Sequence, residues 1–132
     1  MADISNLEKI RRYLKAIEDG RLGEIRELFA ADALFVQYPN RIYQQGLSAG
    51  VSQMGEAFEK GRKLLSSQKY EIKNELVTGE CVAVEVLWVG KLAISFGSLQ
   101  AGSEMRAHSA MFFEFKDGRI VSQRNYDCFK AW

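Results

Sequence analysis

One proline, one histidine and two cysteines stand among 132 residues, and each scarcity removes a class of protein. A single histidine without a cysteine cluster cannot build the usual zinc site. Cys81 and Cys128 lie far apart, without CxxC spacing, so they read as reduced thiols of the buried core. Neither sign of charge dominates: 18 basic and 17 acidic residues leave a net charge of +1. That balance argues against nucleic acid or an anionic membrane as a partner. It also leaves little repulsion between copies, which is compatible with an oligomer. No apolar run approaches the roughly 20 residues that span a bilayer. The opening MADISNLEKI has no basic start ahead of an apolar stretch, so no signal peptide is expected and the cytoplasm is the expected location. Neither GxGxxG nor GxxxxGK[ST] occurs, so nucleotide binding has no support. No cofactor and no metal are expected.

What remains is the composition of an ordinary globule, 47% hydrophobic and 27% charged. The length suits one domain, residues 1–132, burying roughly two-thirds of its unfolded surface. Ser5-Asn6-Leu7-Glu8 is a capping box. Leu7, Ile10, Leu14 and Ile17 follow at steps of three and four, the stripe of a helix that Gly20 ends. Leu22 to Phe29 reads as a second helix, and about Ser48 to Leu65 as a third, weakened by Gly55 and Gly61. Between them Ala33 to Tyr38 reads as a short strand stopped by Pro39. Strands then take over: Lys69 to Val77, Cys81 to Val89, a weaker Leu92 to Phe96, Met105 to Phe115 and Ile120 to Phe129. There is no repeat, low-complexity segment or linker. Helices first and antiparallel strands last predict an α+β domain with helices on one face of a curved sheet.

RRYLKAIEDGRLGEIRELFAADALFVQYP, GECVAVEVLWVG and FFEFKDGRIVSQRNYD together resemble the nuclear transport factor 2-like superfamily. More narrowly, they are similar to its SnoaL-like (polyketide cyclase) and ketosteroid-isomerase-like members. The resemblance implies three N-terminal helices packed against a bent antiparallel sheet, a cone with an internal pocket. It also implies a homodimer through the outer face of the sheet. The superfamily holds isomerases, cyclases, dehydratases, epoxide hydrolases and non-catalytic binding domains, so the fold does not decide the reaction. Ketosteroid isomerases use a helix tyrosine, a protonated acid and a carboxylate base. Tyr13 matches the tyrosine. The base should precede Pro39, where Gln37-Tyr38 stands, and Met111 or a neighbour occupies the place of the second acid. The usual isomerase chemistry is therefore not expected.

Alternation along CVAVEVLWV puts Val82, Val84, Val86 and Trp88 on one face and Cys81, Ala83, Glu85, Leu87 and Val89 on the other. The resemblance puts Glu85 on the pocket side. For the last hairpin two registers stay open. A tight turn at Asp117-Gly118 pairs Lys116 with Arg119 and sets His108 opposite Asp127, a base with an orienting carboxylate. A three-residue turn with a glycine bulge sets Met111 opposite Gln123, Ser109 opposite Asn125 and Ala107 opposite Asp127. The resemblance favours the second, with Gln123, Asn125 and Asp127 in the pocket beside Met111, Phe113 and Phe115, and Arg124 and Tyr126 outside. The candidate catalytic residues are Asp127, Glu85, Tyr13 and His108. Tyr38, Asn125, Gln123, Met111 and Phe113 are the candidate substrate contacts, with Tyr38 and Tyr43 at the pocket mouth. Tyr13 suits a core position equally, and Glu104 with Arg106 reads as a surface ion pair. Two functions follow. One is cofactor-free acid–base chemistry on a small apolar oxygenated molecule. The other is a non-catalytic ligand-binding or dimerisation domain, with Glu85 and Asp127 tied up in salt bridges or outside the cavity.

Overall fold

A computed structural model describes residues 5–132. The first four residues, part of the stretch from which the lack of a leader is expected, lie outside the described residues. Helix α1 (Asn6–Asp19) starts where Ser5 Oγ accepts the Glu8 N–H at 3.1 Å. It stops at Gly20, whose φ of 72° only glycine adopts without strain. Its stripe of Ile10, Tyr13, Leu14 and Ile17 is buried. Helix α2 (Leu22–Leu28) leads directly into strand β1 (Phe29–Gln37), then β2 (Leu47–Ala49) and helix α3 (Val51–Leu64). Strands β3 (Leu65–Thr78), β4 (Cys81–Leu92), β5 (Glu104–Lys116) and β6 (Arg119–Phe129) complete the chain. Among the described residues no helix is long and apolar enough to cross a membrane.

Six strands form one sheet in the order β2-β1-β6-β5-β4-β3. The three helices cover its concave face, giving the α+β cone. The expectation of a wholly antiparallel sheet needs correction. β1 runs parallel to β6, because a strand that docks from far away in sequence is not bound by hairpin geometry. Two further expectations fail locally. The weak strand at Leu92–Phe96 does not form, since the chain turns out through a small Phe96–Leu99 bridge. β2, too short for a period-two signal, was not expected. Both cysteines are exposed rather than buried, because alternation on β4 and β6 gives the inner positions to their neighbours.

The core is where the α1 stripe meets the sheet. Tyr13 sits at its centre, its ring edge-on to Phe29, Phe58 and Phe113 at 5.4, 6.4 and 5.8 Å. From β4 come Val82, Val84 and Val86, and from β5 Met111, Phe113 and Phe115. Extra residues bend the sheet. Register shifts at Ser66 and Lys73 on β3 and at Val121 on β6 add the local twist that lets long strands wrap the helices.

The last hairpin follows neither register expected from sequence. Asp117 and Gly118 have φ of 51° and 77°, a two-residue turn of the primed type that pairs Lys116 with Arg119. Phe115 then faces Ile120, but Val121 is left over and Glu114 pairs with Ser122. Beyond this bulge the inward pairs are Phe113–Gln123, Met111–Asn125, Ser109–Asp127 and Ala107–Phe129. The turn is the tight one, the faces are those of the bulged alternative, and the residue opposite Asp127 is Ser109. One extra residue in the strand does what one extra residue in the turn would have done to the faces, while shifting the partners in the other direction.

Candidate active site

β6 lays Asn125, Asp127 and Phe129 along the concave face, and β5 lays Ala107, Ser109 and Met111 beside them. These residues form the floor of a cavity of about 220 Å³. Its walls are Tyr70 and Trp88 from β3 and β4, Phe35 and Gln37 from β1, and Phe58 and Leu64 from α3. Ile42 and Tyr43 reach it from the β1–β2 loop, and Lys60 is its one exposed lining residue. An apolar cavity of roughly 150 Å³ already takes up benzene, so there is room for a small ring compound. Trp88 fits because Gly90 lies two positions along: a Cβ there would come within 2.6 Å of the indole. The indole N–H donates to Gln68 Oε1 at 3.0 Å.

Asp127 is the one carboxylate among the lining residues. Ser109 Oγ donates to its Oδ1 at 2.6 Å. Burial pushes the Asp127 carboxyl above the usual aspartate range, and the Ser109 hydrogen bond opposes the shift. The Tyr70 phenol is also pushed up, by burial first and then by the nearby charges of Asp127 and Glu18. Asp127 is therefore a proton-binding group in an apolar enclosure, with one oxygen held by a hydroxyl. This environment suits a general acid or base.

The other expected site residues separate into groups. Asn125 and Met111 line the cavity beside Asp127. Gln123 and Phe113 lie deeper, both 1% exposed, in the core rather than on the cavity wall. Tyr13 is in the same layer and donates to Gln123 Oε1 at 2.8 Å, so its hydroxyl is already engaged. Burial holds the Tyr13 phenol well above its ordinary range, with the neighbouring Tyr70 adding to the shift.

Three residues are not in the cavity. Glu85 is exposed on the outer face, because alternation gives Val84 and Val86 the concave side. His108 is exposed opposite Cys128, one residue out of phase with Asp127. Tyr38 stacks on Tyr126 on the outer face, ring centroids 4.6 Å apart, and Tyr43 alone of the two loop tyrosines reaches the cavity. Glu104 and Arg106 make the surface pair expected of them, at 3.2 Å. Ser109, Gln37, Gln68 and Tyr70 were missed as site residues. The alternation that selected Met111 also selects Ser109, the next inward residue of β5. Tyr70 follows only from its pairing with Trp88. Among the described residues, no cluster of three or more His, Cys, Asp or Glu is placed to hold a metal.

A cone of three helices on a bent six-stranded sheet is the fold of the nuclear transport factor 2-like class. Residues 10–123 match the model of the SnoaL-like domain, and the chain belongs to that family. Solved structures agree on the fold. IdmH from Streptomyces antibioticus, a proposed polyketide cyclase, superposes with a TM-score of 0.78 at 21% identity, over 91% of this chain and 89% of that one. A proposed SnoaL-like polyketide cyclase from Jannaschia sp. CCS1 gives 0.75 at 18%, over 96% and 91%. An LEH-like epoxide hydrolase from M. tuberculosis gives 0.70 at 15%, over 92% and 80%. No curated protein matches the chain.

Proposed function

We propose that the protein is an enzyme that moves protons on a small apolar, oxygenated molecule held in the cone, without a cofactor, with Asp127 as the acid–base group. One observation carries this reading. Asp127 faces an apolar cavity, paired with a hydroxyl rather than a cation, and its affinity for a proton is raised by burial. A purely structural carboxylate would be expected in a salt bridge or on the surface, as Glu85 is. The kinship with cyclase and epoxide-hydrolase folds supports acid–base chemistry as the type. The test is turnover of a panel of small ketones, β-dicarbonyl compounds and epoxides by wild type and Asp127→Asn. Loss of turnover by roughly a hundredfold or more in a folded variant is the expected result. Equal turnover in the two proteins would remove Asp127 from the mechanism.

The partner on the outer face is read as a second copy of the chain. Tyr126 stacks on Tyr38 and meets Phe112 edge-on at 5.8 Å, and Arg124 lies 6.0 Å over the Phe112 ring. Aromatic residues and arginine are the types enriched at interfaces. Glu85 and Glu114 share this face with Arg106 and Arg124, a mixture that can pair with itself across a two-fold axis.

A further inference from the structure

Acid–base chemistry at Asp127 leaves its partner, Ser109, without a chemical role. The two are register partners on β5 and β6. Directly opposed residues of antiparallel strands carry their Cβ atoms about 4.5–5.5 Å apart, a gap that two short side chains can close. Ser109 Oγ closes it by donating to Asp127 Oδ1 at 2.6 Å. Both residues line the cavity. Among the described residues this is the only hydrogen bond that the Ser109 side chain makes, so the lone pairs of Oγ stay unengaged. Burial and Ser109 are the two influences on the Asp127 carboxyl, and no cation is one of them.

A hydroxyl is a weak nucleophile until a neighbouring base takes its proton. The contact between Ser109 and Asp127 lies within the range of about 2.6–3.2 Å that such a transfer needs. A carboxylate buried without a cation has a raised affinity for a proton, and the proton nearest to Asp127 is that of Ser109. Two paired strands hold both groups, so their geometry does not depend on a loop. Ala107 and Met111 are the inward neighbours of Ser109 on β5, one small and one unbranched, so no β-branched side chain stands beside the hydroxyl on its own strand. The facing walls are aromatic, with Phe35, Phe58, Tyr70, Trp88 and Phe129 around the cavity. Flat apolar walls suit an aryl group.

We propose that Ser109 is a nucleophile with Asp127 as its base, and that the protein hydrolyses small aryl esters through an acyl–serine intermediate. This goes beyond proton transfer on the substrate, but it rests on Asp127 as the group that takes and returns protons. Ser109 Oγ bonds to the ester carbonyl carbon, its proton passes to Asp127, and the C=O π pair moves onto oxygen. That pair returns as the bond to the aryl oxygen breaks, and the leaving phenoxide takes the proton from Asp127. Water then attacks the acyl carbon and gives a proton to Asp127. The bond from that carbon to Ser109 Oγ breaks, Oγ regains its proton from Asp127, and a carboxylic acid leaves.

Two probes test it: phenyl acetate, read by phenol release, and phenylmethanesulfonyl fluoride, which sulfonylates an activated serine with loss of fluoride. Mass spectrometry of the tryptic peptide 107–116, in which Ser109 is the only serine, locates either adduct. Wild type is expected to release phenol above the buffer rate, to carry acetyl on Ser109 after an acid quench, and to be sulfonylated there. Ser109→Ala is expected to lose phenol release and both labels. Ser109→Cys keeps a nucleophilic atom at the same place and is expected to regain the acetyl adduct as a thioester, which a merely structural hydroxyl would not predict. Asp127→Asn keeps Ser109 without a base, and its sulfonylation is expected to slow by roughly a hundredfold or more. No phenol release by wild type, no label on Ser109 from either probe, or unchanged release by Ser109→Ala would overturn the nucleophile. Sulfonylation at an unchanged rate in Asp127→Asn would overturn Asp127 as its base. An unlabelled Ser109 in a protein that turns over a ketone or epoxide, and loses that turnover in Asp127→Asn, would overturn the nucleophile alone and leave Asp127 as the acid–base group.

Discussion

Asp127 carries a cost that can be measured apart from any reaction. Its carboxyl pKa is raised on folding above the ordinary 3.8, so folding favours the protonated form. That stabilisation is fully present below the unfolded pKa and is lost as pH rises through the higher folded value. Asp127→Asn keeps an oxygen for Ser109 but never ionises. The variant should therefore melt above wild type at pH 7 and converge with it near pH 3, in thermal melts across that range. Tyr13→Phe should act in the opposite sense at all these pH values. It leaves the buried Gln123 Oε1 without its donor, and chemical denaturation should show a loss of about 1–3 kcal/mol. Asp127, Asn125 and Met111 were legible in the sequence because alternation on a strand rich in apolar residues puts every second side chain in one place. Alternation divides β4 into two faces without saying which is concave, and Val82, Val84 and Val86 take the inner one, leaving Glu85 outside. Gln37 was noticed only as a missing acid.

The β5–β6 hairpin decides what Asp127 meets. The sequence allows a two- or a three-residue turn there, and the structure takes the two-residue form, with Asp117 and Gly118 both at positive φ. Gly118, at φ 77° and with Lys9 Nζ 3.1 Å from where a Cβ would stand, is the position least able to change. Gly118→Ala should cost about 1–2 kcal/mol in denaturant unfolding. The bulge at Val121 was not readable at the residue where it falls, because nothing in Ile120-Val121-Ser122 marks one residue as extra. A bulge arises where a strand must bend to stay on a curved surface, and the curvature belongs to the sheet as a whole. The lengthened β3 has the same origin. Its bulges at Ser66 and Lys73 break the alternation that would have shown a 14-residue strand.

Two features join parts of the chain far apart in sequence. Arg41, in the loop over the cavity, donates to Trp132 O at 2.6 Å and lies 4.5 Å above the Trp132 ring. Trp132 in turn meets Phe96 and Phe129 edge-on. Arg41→Ala should release the loop, and hydrogen exchange at Ile42 and Tyr43 should rise by roughly three- to tenfold with little change elsewhere. The outer aromatic stripe gives the second test. A two-fold pair should sediment at twice the 15.0 kDa of one chain, and Tyr126→Asp, which puts charge into the aromatic stack, should return it to the monomer. A wild-type monomer at micromolar concentration would remove the second copy from the account.

Local chemistry fixed the three helices and the alternation along the strands. Caps, apolar periods and glycine positions act within a few residues and need no partner to be read. The tertiary structure alone decided the parallel pairing of β1 with β6 and the bulge that brings Ser109 to Asp127. Each depends on groups that meet only after the sheet has bent around α1. Which end of the Gln123 amide meets Asn125 is likewise set by Tyr13, which reaches it from α1.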